Sequence, residues 1–310
     1  MPYIPASTEQ RQRMLKRLGL NTIEDLFTEI PQELRFPTLG LETELSEEEV
    51  LREIRTMADK NSHADTVTCF IGAGAYNHFI PSAVSYLASR SEFMTSYTPY
   101  QPEVSQGTLQ AIFEFQSMLA SLTGMDVINA GHYDGATALA EGIIMALRNS
   151  TAKKILIPEQ LHPEYKDVIR SYLSAFDAEV QEYQGTAREA AAPYAAVQGE
   201  LAALVSAYPD FYGQIPELDG AAEAAHKAGA LFIVHTDPIM LGLFKNPGSW
   251  GADICTAEGQ SLGNDLNAGG PFLGIMGCTT ALVRKLPGRL VGQAFDHQNR
   301  RGYVLTLVAR

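Results

Sequence analysis

The sequence predicts an α/β protein with a mostly parallel β-sheet that is covered by helices on both faces. From about Thr66 onward, four short β-type runs are separated by segments of helical periodicity, which is the pattern of βα units. The composition supports a folded body, because 45% of the 310 residues are hydrophobic and the mean hydropathy is −0.07. We therefore expect a helical arm over residues 1–60 and an α/β domain over residues 61–310.

The arm is predicted to consist of three short helical pieces. The first runs from a cap at Ser7 or Thr8 to Gly19, the second is TIEDLFTEI between Thr22 and Pro31, and the third follows Ser46, which has Glu49 at the capping-box spacing. These pieces bury too little apolar surface to be stable alone. The arm should therefore lie across another surface, either the body of its own chain or a partner subunit.

The body is predicted to alternate helices and strands around one sheet. Two helices with an apolar face come first, QGTLQAIFEFQSMLASLTG and GATALAEGIIMALRNS. The other predicted elements follow in this order: the strand KKILIP, a helix around PEYKDVIRSYLSAF, the strand AEVQEY, a helix around TAREAAAPYAAV, the strand AALVSAY, a helix around ELDGAAEAAHKAG, and the strands ALFIVHTDP, ADICTAE, FLGIMGC and YVLTLVAR.

Charge and cysteine content exclude several functional classes. The chain has 23 Lys and Arg against 36 Asp and Glu, a net charge of −13, so nucleic acid and membrane surfaces are unsuitable partners. Cys69, Cys255 and Cys278 show no C-x-x-C spacing and the histidines no ligand-like pair, so we expect neither a disulfide framework nor a metal site. The N-terminus lacks the features of a signal peptide, and we expect a cytoplasmic protein.

The segment IGAGAYNHFIP has only part of a dinucleotide-binding turn. Gly72 and Gly74 are present, but the third glycine position holds Asn77, and Pro81 lies where the phosphate-facing helix should continue. We interpret the segment as a glycine-rich turn that enters a short helix. The sequence contains no P-loop motif and no H-E-x-x-H motif, so nucleotide and metal chemistry have no support.

The loop before the first helix of the body is rich in side chains suited to a binding or active site. Pro99 and Pro102 stiffen its backbone, which favours the presentation of side chains. The candidate site residues are Tyr97, Thr98, Tyr100, Gln101, Glu103 and Ser105. The alternative is a rigid helix-entry loop whose tyrosines pack on the body.

A second group of candidates lies in NAGHYDGATALAEG, at the start of a predicted helix. The N–H groups of a helix N-terminus can receive an anion. However, Asp134 would itself cap the helix and repel a phosphate. His132 and Asp134 therefore remain candidates for a side-chain contribution only.

The strand end LFIVHTDP places Asp237 where an α/β enzyme holds a cationic ring nitrogen, such as that of pyridoxal phosphate (PLP). A strand, a polar turn, a glycine cluster and another strand follow, in the order expected of the aspartate aminotransferase fold. That fold needs a Schiff-base lysine in the turn, but residues 256–261 contain none. We therefore expect a degenerate cofactor site at Asp237, Gln260 and Ser261, and no cofactor bound covalently by this chain.

Several long strings resemble the P-protein family of the glycine cleavage system, in particular the first subunit of the two-subunit bacterial glycine dehydrogenase (decarboxylating). The strings are MPYIPASTEQRQRML, TSYTPYQPEVSQGTLQAIFEFQSM, NAGHYDGATALAEG, the stretch from HTDPIMLG to NAGGPFLG, and PGRLVGQ through RRGYVLTL. The resemblance covers nearly the whole chain. It implies the large domain of PLP-dependent transferase fold type I.

The resemblance also implies partners and a division of labour. A second subunit, within an α₂β₂ assembly, would carry the PLP and its lysine, decarboxylate glycine and pass the aminomethyl group to the lipoyl group of the H-protein. This chain would be inactive alone. It would complete the partner's site with the loop of residues 97–106, whose phenols and Gln101 would face the cofactor while Glu103 and Ser105 hold the loop.

Two alternatives to this function remain at the level of the sequence, a non-catalytic scaffold subunit and an autonomous PLP-dependent enzyme. The autonomous enzyme would need an unexpected lysine to reach the ring. The resemblance further implies that the smaller C-terminal domain of the family is absent after Arg310.

Overall fold

The computed structural model describes residues 6–35, 37–63, 66–94, 98–184, 199–266 and 270–307. The internal contacts of the chain divide it into two units, residues 1–63 and 64–310. The predicted helix TAREAAAPYAAV lies outside the described residues. Among the helices that are described, none is long and apolar enough to cross a bilayer.

Residues 6–35 and 37–63 of the first unit contain two α-helices. Helix α1 (Thr8–Leu18) begins after its cap Ser7 and ends at Gly19, which adopts the left-handed conformation typical of a helix end. Helix α2 (Glu47–Ala58) begins after Ser46 with a complete capping box. The prediction of these two helices and of their caps is confirmed.

The predicted helix over TIEDLFTEI is wrong. Only a 3₁₀ turn forms there, at Glu24–Phe27. Asp25 explains the difference, because its Oδ2 accepts the N–H groups of Asn21 and Thr22, each at 2.8 Å. The carboxylate thus bonds back to the residues before it and closes a short loop in place of a helical first turn. A second 3₁₀ turn follows at Gln32–Leu34.

The second unit combines six α-helices and nine β-strands among its described residues. The helices are α3 (Ser82–Ala88), α4 (Ser91–Met94), α5 (Gln106–Thr123), α6 (Gly135–Leu147), α7 (Pro163–Leu173) and α8 (Ala221–Lys227). The strands are β1 (Val127–Ile128), β2 (Lys154–Pro158), β3 (Glu179–Tyr183), β4 (Ala203–Tyr208), β5 (Leu231–Thr236), β6 (Ile254–Glu258), β7 (Gly274–Cys278), β8 (Leu290–Phe295) and β9 (Arg301–Thr306). All seven predicted strands are present, whereas β1 and β8 have no counterpart in the prediction.

Seven strands form one sheet in the order β1-β7-β6-β5-β4-β2-β3. Strands β3, β2, β4, β5 and β6 are parallel to one another, and β7 is antiparallel to both of its neighbours, β6 and β1. The carboxyl ends of β2, β4, β5 and β6 therefore meet at one edge of the sheet. This is the edge at which α/β proteins bind ligands.

Both faces of the central strands are buried, because their successive side chains point to opposite sides and are nearly all apolar. On one face, Val205 and Ile233 pack with residues of α6 and α7. On the other face, Leu204 and Phe232 pack with residues of α5 and α8. This double packing fixes the strand ends on which the candidate site is built.

Strands β8 and β9 form a separate antiparallel hairpin that packs on α5. Two glutamines of α5 bond to its backbone. Gln116 exchanges two hydrogen bonds with Val291 (2.9 and 3.0 Å), and Gln106 exchanges two with Tyr303 (2.8 and 2.9 Å). Each side-chain amide therefore pairs with the hairpin as a neighbouring strand would.

Candidate functional site

A cavity opens at the carboxyl ends of β2, β4, β5 and β6. It has an empty volume of about 590 Å³, part of which is open to solvent. All three residues predicted for the degenerate cofactor site, Asp237, Gln260 and Ser261, line it. The topology explains their proximity, because Asp237 directly follows β5 and the other two follow the neighbouring strand β6.

Four aromatic side chains form a wall of this cavity. The ring of His162 stacks on Tyr165 with centroids 4.9 Å apart, and it meets the edge of Phe211 at 4.8 Å. Tyr165 in turn meets the ring of His235 at 5.1 Å. Stacked and edge-to-face pairs of this kind are favourable geometries, so the four rings support one another in a fixed apolar surface with polar edges.

His162 is the N-cap of α7, and its ring is fixed by two hydrogen bonds. Nδ1 accepts the N–H of Glu164 (3.2 Å), so the ring proton is on Nε2, which donates to the carbonyl of Ala73 (3.0 Å). Ala73 belongs to the glycine-rich segment, which forms a turn and leads to the short helix α3. His162 thereby attaches residues 73–76, here called the strap, to the cavity.

Gln260 holds the strap at a second point. Its Oε1 accepts the N–H of Tyr76 (3.0 Å), and its Nε2 donates to the carbonyls of Tyr76 (3.2 Å) and Asn264 (2.7 Å). Gln260 is 1% exposed, so its amide is committed to these bonds. In the aspartate aminotransferase fold, this turn carries the Schiff-base lysine. In this chain, the turn carries Gln260, which holds the backbone of the strap by hydrogen bonds.

His235 is half-buried as a residue, and its ring is neutral at neutral pH. Burial is the main cause that lowers the pKa of its ring to about 4. Its Nδ1 lies 3.0 Å from the hydroxyl of Thr256, so one ring nitrogen is bonded to the neighbouring strand β6. At neutral pH, His235 therefore brings no positive charge into the cavity.

Glu258 ends β6 and is a buried carboxylate with three backbone partners. Its Oε2 accepts the N–H of Gly135 (2.7 Å), and its Oε1 accepts the N–H groups of Gln260 (2.9 Å) and Leu273 (3.0 Å). Burial raises the pKa of this carboxyl, and the three donors offset only part of the effect. Gly135 is the first residue of α6. The Glu258 carboxylate therefore occupies a helix N-terminus, which in other α/β proteins is a place for phosphate.

The residues around α6 do not fit the phosphate of PLP. A phosphate needs N–H donors or cations, but the first turn of α6 is bonded to Glu258 and to Asp134, whose Oδ1 accepts the N–H of Thr137 at 2.7 Å. In the described part of the chain, no Lys or Arg lines the cavity. Two carboxylates at this helix end would repel a phosphate, which agrees with the argument made from Asp134 in the sequence.

The cavity also offers no amine for a Schiff base. The lysines nearest in sequence to the turn are Lys245 and Lys285. Lys245 lies over the ring of Trp250, 3.7 Å from its centroid, and Lys285 donates to the side chain of Asn149. Neither lysine lines the cavity. Among the described residues that line this cavity, covalent PLP chemistry therefore has no amine nucleophile.

The candidate loop before α5 lies at a different place, since none of its described residues lines the cavity. Ser105 is buried and donates from Oγ to the carbonyl of Thr98 (2.9 Å), and the Thr98 hydroxyl donates to Gln101 (3.0 Å). Tyr100 packs under the guanidinium of Arg289, which is 3.9 Å from the ring centroid. The loop is thus braced internally, and Tyr100 packs on its own chain.

Glu103 differs from the rest of this loop. Its side chain is exposed and makes no hydrogen bond or ion pair with the described residues. Helix α5 begins after Ser105 without any side-chain cap, so Glu103 does not cap that helix. Glu103 and Ser105 were both expected to hold the loop. Within this chain, Ser105 does so through its bond to Thr98. Tyr97 lies outside the described residues.

His132 and Asp134 have structural partners. The backbone of His132 exchanges two hydrogen bonds with Gly274 of β7 (2.8 and 3.0 Å), and the amide of Asn129 lies 2.8 Å from Nε2 of the ring. Burial lowers the pKa of His132, so the ring is neutral at neutral pH. Asp134 is the N-cap of α6 and forms a capping box with Thr137. Neither side chain lines the cavity.

Several residues that shape this cavity were not predicted from the sequence, among them His162, Tyr165, His235 and Glu258. A usable pattern existed for three of them, because His235 and Glu258 are within or at the end of predicted parallel strands and His162 follows one closely. Such residues meet at one edge of a sheet. Tyr165 lies inside α7, and its direction toward the cavity depends on how that helix packs.

A family model described as "Glycine cleavage system P-protein" matches residues 1–310, from the first residue of the sequence to the last. The chain belongs to this family. Two P-protein relatives, each named probable glycine dehydrogenase (decarboxylating) subunit 1, agree with the assignment. The one from Desulforamulus reducens is 50% identical over 100% of this chain and 70% of its own length, and the one from Syntrophomonas wolfei is 47% identical over 100% and 72%.

Solved structures agree with the P-protein assignment. A crystal structure of glycine decarboxylase (P-protein) of the glycine cleavage system, in inhibitor-bound form, matches with a TM-score of 0.87 and 44% identity, over 99% of this chain and 69% of that one. A sphingosine-1-phosphate lyase from Burkholderia pseudomallei matches with a TM-score of 0.56 and 14% identity, over 90% and 68%, and shows the fold alone. The predicted PLP-dependent transferase fold type I and the family resemblance are both confirmed.

Proposed function

We propose that this chain is the first subunit of a two-subunit glycine dehydrogenase (decarboxylating) and that it is active only with a partner subunit that holds PLP. The observation that carries the proposal is the cavity at the sheet edge, which has the position of a cofactor site but offers neither a lysine nor a place for phosphate. Relatives that match all of this chain are named subunit 1 of that enzyme, and the name implies a second subunit.

The partner performs the covalent chemistry in this proposal. Its PLP supplies the electron sink for the decarboxylation of glycine, and the aminomethyl group passes to the lipoyl group of the H-protein. This chain contributes the loop of residues 97–106 to the partner's site. The internal bonds of Ser105 and Thr98 support such a role, because they fix the backbone while the side chains of Gln101 and Glu103 remain exposed.

Exposed apolar side chains of the second unit support a surface for the partner. Phe70, Ile71 and Phe79 are 84% to 92% exposed, and Tyr133 is 88% exposed. Ile71 and Phe79 belong to the segment IGAGAYNHFIP, which contains the strap, and Phe70 directly precedes it. Several large apolar side chains left in water are typical of interaction surfaces. We assign this surface to the contact with the PLP-bearing subunit.

Borohydride reduction tests the division of labour between the two chains. The chain is purified alone and together with its partner, each sample is incubated with PLP and reduced, and pyridoxyl-lysine is located by peptide mass mapping. We expect the adduct only in the partner and glycine-dependent CO₂ exchange only in the complex. A pyridoxyl-lysine in this chain, or exchange by this chain alone, would overturn the proposal.

A further inference from the structure

The cavity at the sheet edge has no task in the proposed function, because it does not fit PLP. It is nevertheless lined by aromatic rings together with a few polar side chains at the carboxyl ends of neighbouring strands, which is typical of small-molecule sites. Three features of its lining define the ligand that would fit.

The first feature is negative charge. Asp210, Asp237 and Glu258 line the cavity, and no described Lys or Arg does. Glu258 is saturated by three N–H donors, and Asp210 caps a turn through its Oδ1. Asp237 uses only Oδ1, which accepts the N–H of Ile239 at 2.8 Å, and its Oδ2 has no partner among the described residues. A cation or an N–H donor of a ligand would give Oδ2 of Asp237 its missing partner.

The second feature is an unpartnered hydroxyl. Ser261 lines the cavity, is 8% exposed, and has no hydrogen-bond partner for its Oγ. A buried polar group without a partner costs about 1–3 kcal/mol, so such groups in folded proteins usually have a partner, a water or a ligand. Ser261 and Asp237 follow neighbouring strands, which places both polar groups in one ligand site.

The third feature is the aromatic wall of His162, Tyr165, Phe211 and His235. Both nitrogens of His162 are occupied by backbone bonds, so its ring offers surface and no free donor. Aromatic faces attract cations and stack with flat rings. Since His235 is neutral at neutral pH, the wall does not repel a cation.

We propose that this cavity binds a flat nitrogen-containing ring that carries a positive charge and no phosphate. The ring lies against the aromatic wall, its cationic N–H group donates to Oδ2 of Asp237, and a polar substituent bonds to the Ser261 hydroxyl. Phosphate esters are disfavoured, because the carboxylates of Asp210, Asp237 and Glu258 line the cavity and no described Lys or Arg does.

A matched pair of probes tests the proposal on the full 310-residue chain without its partner. Pyridoxamine and pyridoxamine 5′-phosphate share a ring and an amine and differ in the phosphate, and neither can form a Schiff base with a lysine. Isothermal titration at neutral pH should give one saturable site for pyridoxamine and at least tenfold weaker binding for the phosphate ester. Equal or tighter binding of the ester, or no saturable binding of pyridoxamine, would overturn the proposal.

Two variants and one control locate the site. Asp237→Asn keeps the acceptor for Ile239 and removes the charge, so it should weaken pyridoxamine binding at least tenfold, and Ser261→Ala should weaken it several-fold. Asp167→Asn, an exposed change on α7, should leave binding unchanged. Circular dichroism checks that each variant is folded. Binding that neither cavity variant weakens would contradict the assignment, and because no step uses the partner, that result leaves the proposed subunit function untouched.

Discussion

The carboxylate of Glu258 joins the end of β6 to the start of α6, and it accepts three N–H groups that have no other partner in a strand or helix ladder. In Glu258→Gln, one oxygen becomes an NH₂ group that faces at least one of these donors. We expect a loss of about 1–3 kcal/mol in the free energy of unfolding, measured by urea denaturation. Glu223→Gln, an exposed change on α8, serves as the control and should cost less than about 0.5 kcal/mol.

The same pair of proteins, wild type and Glu258→Gln, should differ in their pH dependence. Because burial raises the folded-state pKa of Glu258, the protonated carboxyl favours the folded state, and this contribution is complete below the unfolded value near 4.5 and is lost as pH rises through the folded value. We expect the stability of wild type relative to the variant to be largest near pH ~4 and to fall toward pH ~8. A difference that rises with pH would show that the N–H donors outweigh burial.

Glu103 is the residue on which the contribution of the loop to the partner can be tested. Its side chain is exposed and unbonded among the described residues, so Glu103→Gln should leave the melting temperature unchanged. In the complex with the partner, we expect glycine–CO₂ exchange to fall on the order of 100-fold, as for a positioned active-site group. Glu114→Gln on α5 is the matched control. Wild-type exchange by Glu103→Gln would favour a scaffold subunit.

At the level of residues, the sequence predicted side chains at strand ends better than those on helices. Asp237, Gln260 and Ser261 line one cavity, because the strands that precede them are neighbours. Glu258 belongs to the turn that lacks the lysine, but its bonds to Gly135 and Leu273 join segments more than ten residues away and cannot be seen in local patterns.

At the level of elements, the attachment of the β8–β9 hairpin to α5 depends on Gln116. Its buried amide satisfies both the N–H and the carbonyl of Val291. Gln116→Ala leaves these two groups unpaired, and we expect a loss of about 2–6 kcal/mol, since each buried unpaired group costs about 1–3 kcal/mol. Gln110→Ala on the same helix removes only a bond to Glu114 and should be nearly neutral. Similar unfolding free energies for the two variants would contradict the proposed attachment.

The junction of β7 with the start of α6 allows no side chain at Gly274. A Cβ atom there would press on the carbonyl of Asp134 and lie 2.6 Å from Cβ of His132. Gly274→Ala should therefore destabilise the protein by more than about 2 kcal/mol. Gly107→Ala, in the first turn of α5 with nothing within 4 Å of the added Cβ, should be neutral or stabilising by up to about 1 kcal/mol. Thermal melting of the two variants checks the contrast.

Most of these elements follow from the sequence because their ends carry local information. Ser7 and Ser46 begin helices through bonds to residues three positions later, which the sequence shows directly. The error at TIEDLFTEI arises because Asp25 bonds to residues before it and competes with a helical start. Strand β1 has only two residues, too few for a pattern, and β8 alternates with polar and glycine positions.

At the scale of the whole molecule, the exposed apolar side chains make assembly testable. Phe79 is 90% exposed, so Phe79→Asp should not change the urea midpoint of this chain alone. If the surface around it contacts the PLP-bearing subunit, a charge there should weaken the complex at least tenfold. Sedimentation of mixtures with the partner measures this effect. Unchanged affinity would move the interface to another part of the molecule.

The overall architecture was predictable as a class but not as an order of strands. Apolar runs separated by helices predict βα units, and that prediction is confirmed. The run FLGIMGC, which forms β7, is buried on both faces and has the same character in either direction, so its antiparallel pairing with β6 and β1 could not be deduced. Composition and periodicity predicted only the α/β class, and the family resemblance was needed to predict PLP-dependent transferase fold type I.

The attachment of the strap makes one amide proton, that of Tyr76, sensitive to local opening of the strap. The amide proton of Tyr76 is protected by a side chain, Gln260, and not by a strand ladder. It can therefore exchange with solvent when the strap lifts, while the amides of β5 and β6 stay protected by the sheet. Hydrogen exchange at this one position, compared with that of the neighbouring strands, would record how often the cavity opens without any unfolding of the body.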